Sequence, residues 1–535
     1  MQLATRLTAL ACILAASVSL ARGQEKLNRH PVRLDSSGKL LSWVTPQKQA
    51  YDKVLRLAWE FLLTKVADDP KTGLKVYYTS CCYNLAKNQG TAWPHNPAGL
   101  YAMLADSAAA WYAYSGDTRV VELEKKLLDY QLKHGTTPAG WLWGGVPYAS
   151  ADHGAKEYRG AYEFQYDKKN LGRGDGYGVI EPDMVGELGF GYLKFYKLTG
   201  EARYRDAAIS CANALARNVR PGDEQKSPWP FRVYAETGHI REEYSANTIG
   251  AIKLFDELIR LRLGAVDQYR TARAAAWKWL LETPLKNNVW ACYFEDVGIS
   301  DKPSNFNQYS PMETARYLLD HPEADPEWRA HAAALLAFVE RTFGVDSGQF
   351  RGLQWGARAI SEQLAYMPKM GSHTSRYASV LARWGEAAQD AAAVEAAFHS
   401  LNWATYMCWE SGAVWDAPDS EQEGPWFSDG YGDYVRHFLY AMGAQPQWAP
   451  EGENHILRST SLVTKVSYAP NRVAYSTFDA ESAEVLRLAF SPSKDTSGGA
   501  ALARKDRPDG PGWTFDPNLK ALRVRHARAG EVVVE

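Results

Sequence analysis

Six short segments combine ionisable or amide side chains with the small residues and prolines that begin helices. They lie at 94–97, 181–183, 242–247, 307–313, 371–377 and 426–433, and each follows a long loop. N-capping accounts for Ser310 and Ser428, because Ser, Asp and Asn satisfy free backbone N–H groups at helix starts. It does not account for His373, Arg376 and Asp433 together. The pattern therefore predicts that the six segments form one ligand-binding funnel.

The first chemistry that suits such a funnel is glycoside hydrolysis, which needs a protonated carboxyl group and a second, ionised one. Candidate carboxyl groups are Glu181, Asp183, Glu243, Glu313, Glu362, Asp429 and Asp433. Asp429 and Asp433 are four residues apart on one helix face, where each can raise the pKa of the other. We expect Asp429 or Asp433 as a catalytic residue on one side of the funnel, and Asp183 or Glu362 on the other.

The second chemistry is β-elimination beside a uronate. It requires a base, a group that neutralises the uronate carboxylate and often a tyrosine as acid. His373, Arg376 and Tyr377 meet these needs, with help from Tyr244 and Asn247. The alternative for this cluster is structural: an interior histidine, with the arginine paired to a funnel carboxylate.

Both chemistries favour an acidic sugar, because Arg232, Arg376 and His373 can hold its carboxylate. Loop tryptophans supply stacking faces for sugar rings, namely Trp93, Trp141, Trp143, Trp229, Trp355 and Trp426. The predicted substrate-binding residues are Trp93, His95, Glu181, Trp229, Arg232, Tyr244, Asn247, Gln308, His373, Arg376, Tyr377, Trp426 and Tyr431.

The elements that position these residues are helices. Amphipathic patterns predict twelve, near 47–66, 97–115, 117–133, 181–199, 201–218, 243–262, 266–283, 310–320, 326–343, 373–388, 390–410 and 428–442. Short turns with Gly or acidic caps alternate with long loops about every 60 to 75 residues. One rim of the assembly is therefore expected to carry short turns and the other the long loops.

The junctions 114–117 and 198–204 are similar to the Thr-Gly-Asp turns of the six-hairpin toroids of helical-barrel glycosidases, glucuronyl hydrolases and several polysaccharide lyases. The resemblance covers about residues 45 to 445. It implies a mainly α fold, an (α/α)6 toroid with a small C-terminal antiparallel β domain. It does not select one reaction, since this architecture carries many.

The domain organisation follows from these patterns. We predict a signal peptide at 1–23, an N-terminal extension at 24–45, the catalytic toroid at 46–450 and a β-sandwich-like domain at 451–535. The signal peptide has Arg6, an apolar run and a small-residue cleavage site, so we expect a periplasmic or secreted protein. The β domain is predicted from strand-prone runs near 463–468, 472–477, 484–490, 522–526 and 532–534.

Composition excludes several classes of partner. A net charge of −2 provides no basic field for nucleic acid, and no apolar run of the mature chain could span a membrane. The Cys81-Cys82 pair lacks the companion ligands of a zinc motif, so we predict no metal and no cofactor. The 19 Trp and 30 Tyr suit a carbohydrate substrate.

The sequence therefore predicts an exported glycoside hydrolase, β-glucuronidase-like and directed at a uronic acid. A polysaccharide lyase is the alternative, and a non-catalytic glycan-binding toroid is a third possibility. A sugar epimerase is a more distant option. Linkage, endo or exo action and oligomeric state stay open.

Overall fold

The computed structural model describes residues 25–80, 83–90, 94–161, 175–291, 304–416, 430–507 and 510–535. The predicted signal peptide lies outside these residues. So do Cys81, Cys82, Trp93, Trp426 and Asp429, whose predicted roles therefore stay predictions.

Twelve α-helices form the main body of the described chain. They are α1 (Ala50–Thr64), α2 (Pro97–Ser115), α3 (Arg119–His134), α4 (Pro182–Thr199), α5 (Ala202–Arg217), α6 (Ile249–Leu261), α7 (Val266–Leu280), α8 (Tyr309–Asp320), α9 (Trp328–Phe343), α10 (Gly371–Ala388), α11 (Ala391–Thr405) and α12 (Val435–Ala444). Each lies close to one of the twelve predicted segments, so the prediction of a mainly helical fold is confirmed.

Local sequence chemistry explains where several of these helices begin and end. Pro97 and Pro182 occupy the first turns of α2 and α4, where a missing N–H costs nothing. Gly116 and Gly200 end the same two helices at a φ of 74°, a left-handed conformation that glycine adopts without strain. The short turns to α3 and α5 follow directly, as the sequence predicts.

The helices pack in two sets. The even-numbered helices contact one another in the order α2, α4, α6, α8, α10 and α12, and α12 contacts α2 again. Each even-numbered helix also packs against an odd-numbered neighbour, as α4 does against α5 and α10 against α11. The first residues of the even-numbered helices follow the long loops, so the segments predicted to form a funnel lie at one end of this ring of contacts.

Three helix boundaries differ from the predictions. Helix α6 begins at Ile249 rather than near 243, because Asn247 N–H bonds to the Ser245 hydroxyl and keeps this stretch out of the helix. Helix α11 ends at Thr405 rather than near 410. A π-helical turn, Gly430–Tyr434, precedes α12, which begins at Val435.

Short strands lie in the N-terminal segment and in the long loops. They are β1 (Lys26–Leu27), β2 (His30–Pro31), β3 (Arg33–Leu34), β4 (Leu40–Leu41), β5 (Tyr83–Asn84), β6 (Gln89–Gly90), β7 (Val179–Ile180), β8 (Arg232–Tyr234), β9 (Ile240–Glu242), β10 (Leu353–Gln354), β11 (Ala357–Arg358), β12 (Ser361–Gln363) and β13 (Tyr366–Lys369). Strands β7, β8 and β9 form one three-stranded sheet, and the others pair as two-stranded hairpins.

Two antiparallel sheets follow the last helix. Their strands are β14 (His455–Ser459), β15 (Val463–Ala469), β16 (Arg472–Thr477), β17 (Glu481–Arg487), β18 (Asp495–Ser497), β19 (Ala500–Ala501), β20 (Gly512–Asp516), β21 (Ala521–Ala527) and β22 (Val532–Val534). One sheet has the order β14-β17-β21-β20 and the other β15-β16-β22-β18-β19. The predicted C-terminal antiparallel β structure is confirmed, with β16 and β22 at the predicted bounds.

The C-terminal sheets pack against the helices at the short-turn end. His455 Nδ1 lies 2.8 Å from the Tyr114 carbonyl oxygen at the end of α2, and the Tyr468 hydroxyl donates to the Ala113 carbonyl. Arg458 forms an ion pair of 2.6 Å with Glu386 on α10. Among the described residues, the helices are too short or too polar to include a membrane-spanning one.

Candidate functional site

The carboxyl group of Glu187 lies inside the ring of even-numbered helices, one turn beyond Asp183 on α4. Its side chain is buried, and Asn247 Nδ2 donates to Oε1 at 2.8 Å. The Tyr309 hydroxyl is a second hydrogen-bond partner. Burial raises the pKa of this carboxyl above its usual value, and the hydrogen bonds from Asn247 and Tyr309 oppose only part of the rise. Glu187 is therefore suited to hold a proton.

Two glycines let Glu187 approach the start of α6. A Cβ added to Gly250 would lie 2.6 Å from Cγ of Glu187, and one added to Gly186 would lie 2.6 Å from the Ala251 backbone nitrogen. Helices α4 and α6 can come this close only because both positions lack a side chain. The close approach fixes the Glu187 side chain beside Asn247.

Glu313 lies on α8, one turn after Tyr309, and its carboxylate is surrounded by cations. Lys253 Nζ is 3.3 Å from Oε2, while Arg376 Nε is 3.4 Å and Arg316 Nε 3.5 Å from Oε1. Burial alone would raise the pKa of Glu313, but Arg316 and Lys253, with two further arginines, hold it well below its usual value. Glu313 is therefore ionised at neutral pH.

Glu187 and Glu313 line the same cavity. It has a volume of about 590 Å³ and lies between the even-numbered helices and the first two C-terminal strands. Tyr309 also lines it, bonds to Glu187 and is four residues before Glu313 on one face of α8. The structure thus places a carboxyl group with a raised pKa and one with a lowered pKa in the same cavity.

His373 lies at the start of α10 and is linked to Glu313 through Arg376, and its neighbours fix its tautomer. Arg376 Nη1 lies 3.0 Å and Gln308 Nε2 2.5 Å from Nδ1. Arginine can only donate, so Nδ1 accepts and the proton is on Nε2. Burial, with a smaller contribution from Arg376, lowers the pKa of His373 to about 4. The ring is neutral, and its Nε2 lies 3.6 Å from Oε1 of Glu362.

Asp433 is fully buried at the turn into α12. Its Oδ1 accepts from Arg436 Nη2 at 2.6 Å and lies 3.0 Å from His437 Nε2, and its Oδ2 accepts from Arg376. Burial would raise the pKa of Asp433, but Arg376 and Arg436 outweigh it and hold the pKa well below its usual value. This geometry suits a carboxylate that positions cations better than one that transfers a proton.

Arg232 occupies a cluster of protein carboxylates. Its Nε lies 2.7 Å from Asp175 and 3.0 Å from Glu181, with Glu242 at 3.5 Å, and the arginine is completely buried. The cluster connects the short sheet β7-β8-β9 to the loop before it. The carboxylates that Arg232 binds therefore belong to the protein.

Several predicted binding residues lie outside the cavity that contains Glu187. Tyr377 contacts Glu340 on α9 at 3.5 Å, and the Tyr244 hydroxyl donates to the Val289 carbonyl at 2.8 Å. The Tyr431 hydroxyl donates to the Gly412 carbonyl at 3.3 Å, while His95 pairs its backbone with Ala151. Burial lowers the pKa of His95 to about 3.

The loop tryptophans that the structure describes pack in the protein core. Trp143 and Trp229 are 2% and 4% exposed, and Trp229 Nε1 donates to the Leu215 carbonyl at 2.9 Å. Trp141 and Trp355 pack partly buried against the same core. Trp143 and Trp229 therefore present little surface to a sugar, whereas sugar stacking by the partly exposed Trp141 and Trp355 stays a prediction.

Other predicted residues do meet near the carboxyl pair. The Ser245 hydroxyl donates to Asp183 Oδ2 at 3.3 Å and accepts from the Asn247 backbone N–H, which links the starts of α4 and α6. Glu362, Gln308 and His373 form a second group. These residues do not line the cavity itself, but they reach Glu187 through Asn247 and Glu313 through Arg376. The network at the helix starts consists of Asp183, Asn247, Gln308, Glu362, His373, Arg376 and Asp433.

Glu187 and Tyr309 are not among the predicted site residues, and Glu313 is only one of seven candidate carboxyl groups. One signal was present, because Glu187 lies four residues after Asp183 and therefore on the same helix face. Gly186 and Gly189 beside it mark a close helix contact.

No protein-family model and no curated protein matches the sequence. Solved structures do match the fold. A cellobiose 2-epimerase from Bacillus thermoamylovorans B4167 is 10% identical, with a TM-score of 0.53 over 74% of this chain and 99% of that one. A D-mannose isomerase is 11% identical, with a TM-score of 0.53 over 73% and 97%. A sugar epimerase from a ruminal bacterium is 10% identical, with a TM-score of 0.52 over 74% and 99%.

These neighbours are (α/α)6-toroid enzymes, which confirms the resemblance drawn from the sequence. At this level of identity the likeness concerns the fold alone.

Proposed function

We propose that this chain is an exported carbohydrate-active enzyme with an (α/α)6 toroid, and that it hydrolyses a glycosidic bond with Glu187 as acid and Glu313 as the second carboxylate. The observation that carries the proposal is the meeting of these two carboxyl groups in one cavity inside the ring of helices. The closed ring of contacts and the fold neighbours support the toroid. The signal-peptide pattern supports export.

The roles follow from the two environments. Glu187 is buried, has a raised pKa and is oriented by Asn247, so in its protonated form it donates a proton to the glycosidic oxygen as the bond to the anomeric carbon breaks. Glu313 is ionised, so it either attacks the anomeric carbon or removes a proton from the attacking water. Opposite pKa shifts in neighbouring groups are typical of acid–base pairs.

Asp433 and Arg376 do not contact the substrate in this proposal but position Glu313. Asp433 holds Arg376 and Arg436, and Arg376 in turn holds Glu313. Because Arg376 and Arg232 are already paired with protein carboxylates, and His373 is neutral, none of the three provides an unpaired cation for a uronate. The β-glucuronidase-like specificity predicted from the sequence has no support from these contacts.

The test is a panel of glycosides and oligosaccharides assayed for new reducing ends. Wild-type protein should release reducing sugar from at least one member, and Glu187→Gln should not. Release of products with a new ultraviolet-absorbing double bond would identify a lyase instead. Binding without any product would identify a glycan-binding protein.

A second candidate function is sugar 2-epimerisation. Two observations favour it: the fold neighbours named above, and the neutral His373 beside Glu362, which is suited to moving a proton. An epimerase would incorporate solvent deuterium next to the anomeric carbon without a change in the number of reducing ends. The same panel run in heavy water separates the two functions.

A further inference from the structure

The cavity that contains Glu187 and Glu313 extends well beyond them. On α8 it reaches Asp320, seven residues after Glu313, which corresponds to about 10 Å along the helix. On α2 it reaches Ala113, near the end of the helix. At 590 Å³ it falls within the roughly 300–1,000 Å³ of small-molecule sites. We call the part of the cavity between the carboxyl pair and the short-turn end its basal half. It is lined by Ala109, Ala113, Lys197, Asp320 and residues 456–463, among others.

The C-terminal strands form one wall of this basal half. Residues 456–463, from β14 to the start of β15, line the cavity directly. Ala109 and Ala110 on α2 also line the cavity, and they fill little of it because each has only a methyl group as side chain. The C-terminal sheets therefore shape the inside of the cavity as well as pack against the helices.

The cations of the basal half are each paired with a carboxylate of the protein. Lys194 pairs with Asp106, Lys197 with Glu257 at 2.6 Å, Arg383 with Asp320 at 3.1 Å, and Arg458 with Glu386 just outside the cavity. Such a wall offers donors and acceptors whose cations are already engaged by the protein. It therefore suits the hydroxyl groups of an uncharged sugar, whereas a uronate carboxylate would have to compete with the protein's own carboxylates for every cation.

We propose that the basal half binds an uncharged sugar unit of the substrate, so that the enzyme requires at least a neutral disaccharide and its C-terminal β region is part of the substrate site. The proposal rests on the proposed function, because it places the bond that is cleaved at Glu187 and Glu313. It extends that function in three ways. The substrate is uncharged, it has at least two sugar units, and the unit in the basal half contacts the C-terminal strands.

The test combines substrate length with a variant that fills the basal half. Ala110→Trp places an indole in this space, and Ala109→Phe fills it with a smaller ring. The matched control is Ala274→Trp, on the exposed face of α7. Thermal unfolding first confirms that each variant is folded. The substrates are nitrophenyl glycosides of single neutral sugars, of neutral disaccharides, and of the matching glucuronic acid disaccharides.

The expected result is that neutral disaccharide glycosides react at least about 10-fold faster than single-sugar and uronate-containing ones, and that Ala110→Trp and Ala109→Phe remove this advantage. Ala274→Trp should keep it. Equal rates on one and two sugar units, a preference for uronates, or an unchanged advantage in folded Ala110→Trp would overturn the proposal.

Calorimetric titration with cellobiose, maltose and xylobiose separates this proposal from the proposed function. If no glycoside is hydrolysed, the catalytic proposal fails. Binding of a neutral disaccharide that is lost in Ala110→Trp and kept in Ala274→Trp would still support the basal site. Binding that is equal in both variants, or that is absent from the wild type, would contradict it.

Discussion

Two buried glutamates of this protein have raised pKa values for the same reason but lie in different surroundings. Glu187 lies inside the ring of helices, lines the cavity and has Asn247 and Tyr309 as partners. Glu124 lies on α3, is completely buried, and neither of its oxygens has a hydrogen-bond partner in the part of the chain that the structure describes. Burial alone raises the pKa of Glu124 well above its usual value.

The difference shows that a raised pKa does not by itself identify a catalytic acid. Burial raises the pKa of both carboxyl groups. Only Glu187 also has an oriented side chain, an ionised neighbour and space for a ligand. We therefore expect Glu187 to matter for activity and Glu124 for stability.

The largest expected effect is on activity. Glu187→Gln removes the proposed acid and should lower kcat/KM by about 10²–10⁴-fold on a substrate with a poor leaving group. Circular dichroism should show an unchanged fold. Glu124→Gln is the matched control and should keep at least half of the wild-type activity. An equal loss of kcat/KM in Glu187→Gln and Glu124→Gln would contradict the distinction between a catalytic and a structural glutamate.

Asp433→Asn should produce the largest loss of stability. It leaves Arg376 and Arg436 without their shared buried carboxylate, and removing one partner of a buried ion pair costs about 3–5 kcal/mol. Urea unfolding measures the effect. A cost below about 1 kcal/mol would show that the two arginines do not depend on Asp433.

Glu124→Gln should make the protein more stable at neutral pH. The folded-state pKa of Glu124 lies above its unfolded value, so the wild type loses stability as the pH rises from about 4.5 toward the folded pKa. The variant lacks this loss. The gain should therefore increase as the pH rises from about 4.5 toward 7 and should be absent near pH 4.

Thermal unfolding as a function of pH tests this prediction. Glu187→Gln is the comparison variant. Asn247 and Tyr309 hydrogen-bond the native Glu187 carboxyl group, so its replacement should not give the same gain in stability. A stability difference for Glu124→Gln that is constant from pH 4 to pH 7 would contradict the titration argument.

The smallest expected effect is at the contact between the C-terminal sheets and the helices. Asp479 pairs with Arg260 at 2.8 Å, and both side chains are partly exposed. Asp479→Asn should cost only about 0.2–1 kcal/mol, because solvent screens such pairs. Urea unfolding beside Asp433→Asn gives the contrast. A cost as large as that of Asp433→Asn would show that this surface pair is essential for the packing of the sheets.

The sequence predicts the helical framework well because its signals are local. Pro97 and Pro182 mark helix starts, and Gly116 and Gly200 mark helix ends, all within one turn of the observed boundaries. The start of α6 is predicted less well, since Ser245 and Asn247 bond to each other and to partners on α4.

The site is harder to predict because its groups depend on distant residues. The sequence predicts that Arg232 binds a ligand, but in the folded chain Asp175, Glu181 and Glu242 are its partners. Glu187 becomes distinct from Asp183 only through the close contact at Gly250. Periodicity identifies the face of the helix on which a carboxylate lies, but not its depth or its partners.

The most direct test of the central claim compares two leaving groups in the Glu187→Gln variant. A dinitrophenyl group leaves without a proton, whereas a sugar or alkyl alcohol needs one from the acid. If Glu187 is the acid, the variant should lose activity on the alkyl glycoside by about 10²–10⁴-fold and keep most of it on the dinitrophenyl glycoside of the same sugar. Equal loss on both substrates would contradict the role of Glu187 as proton donor.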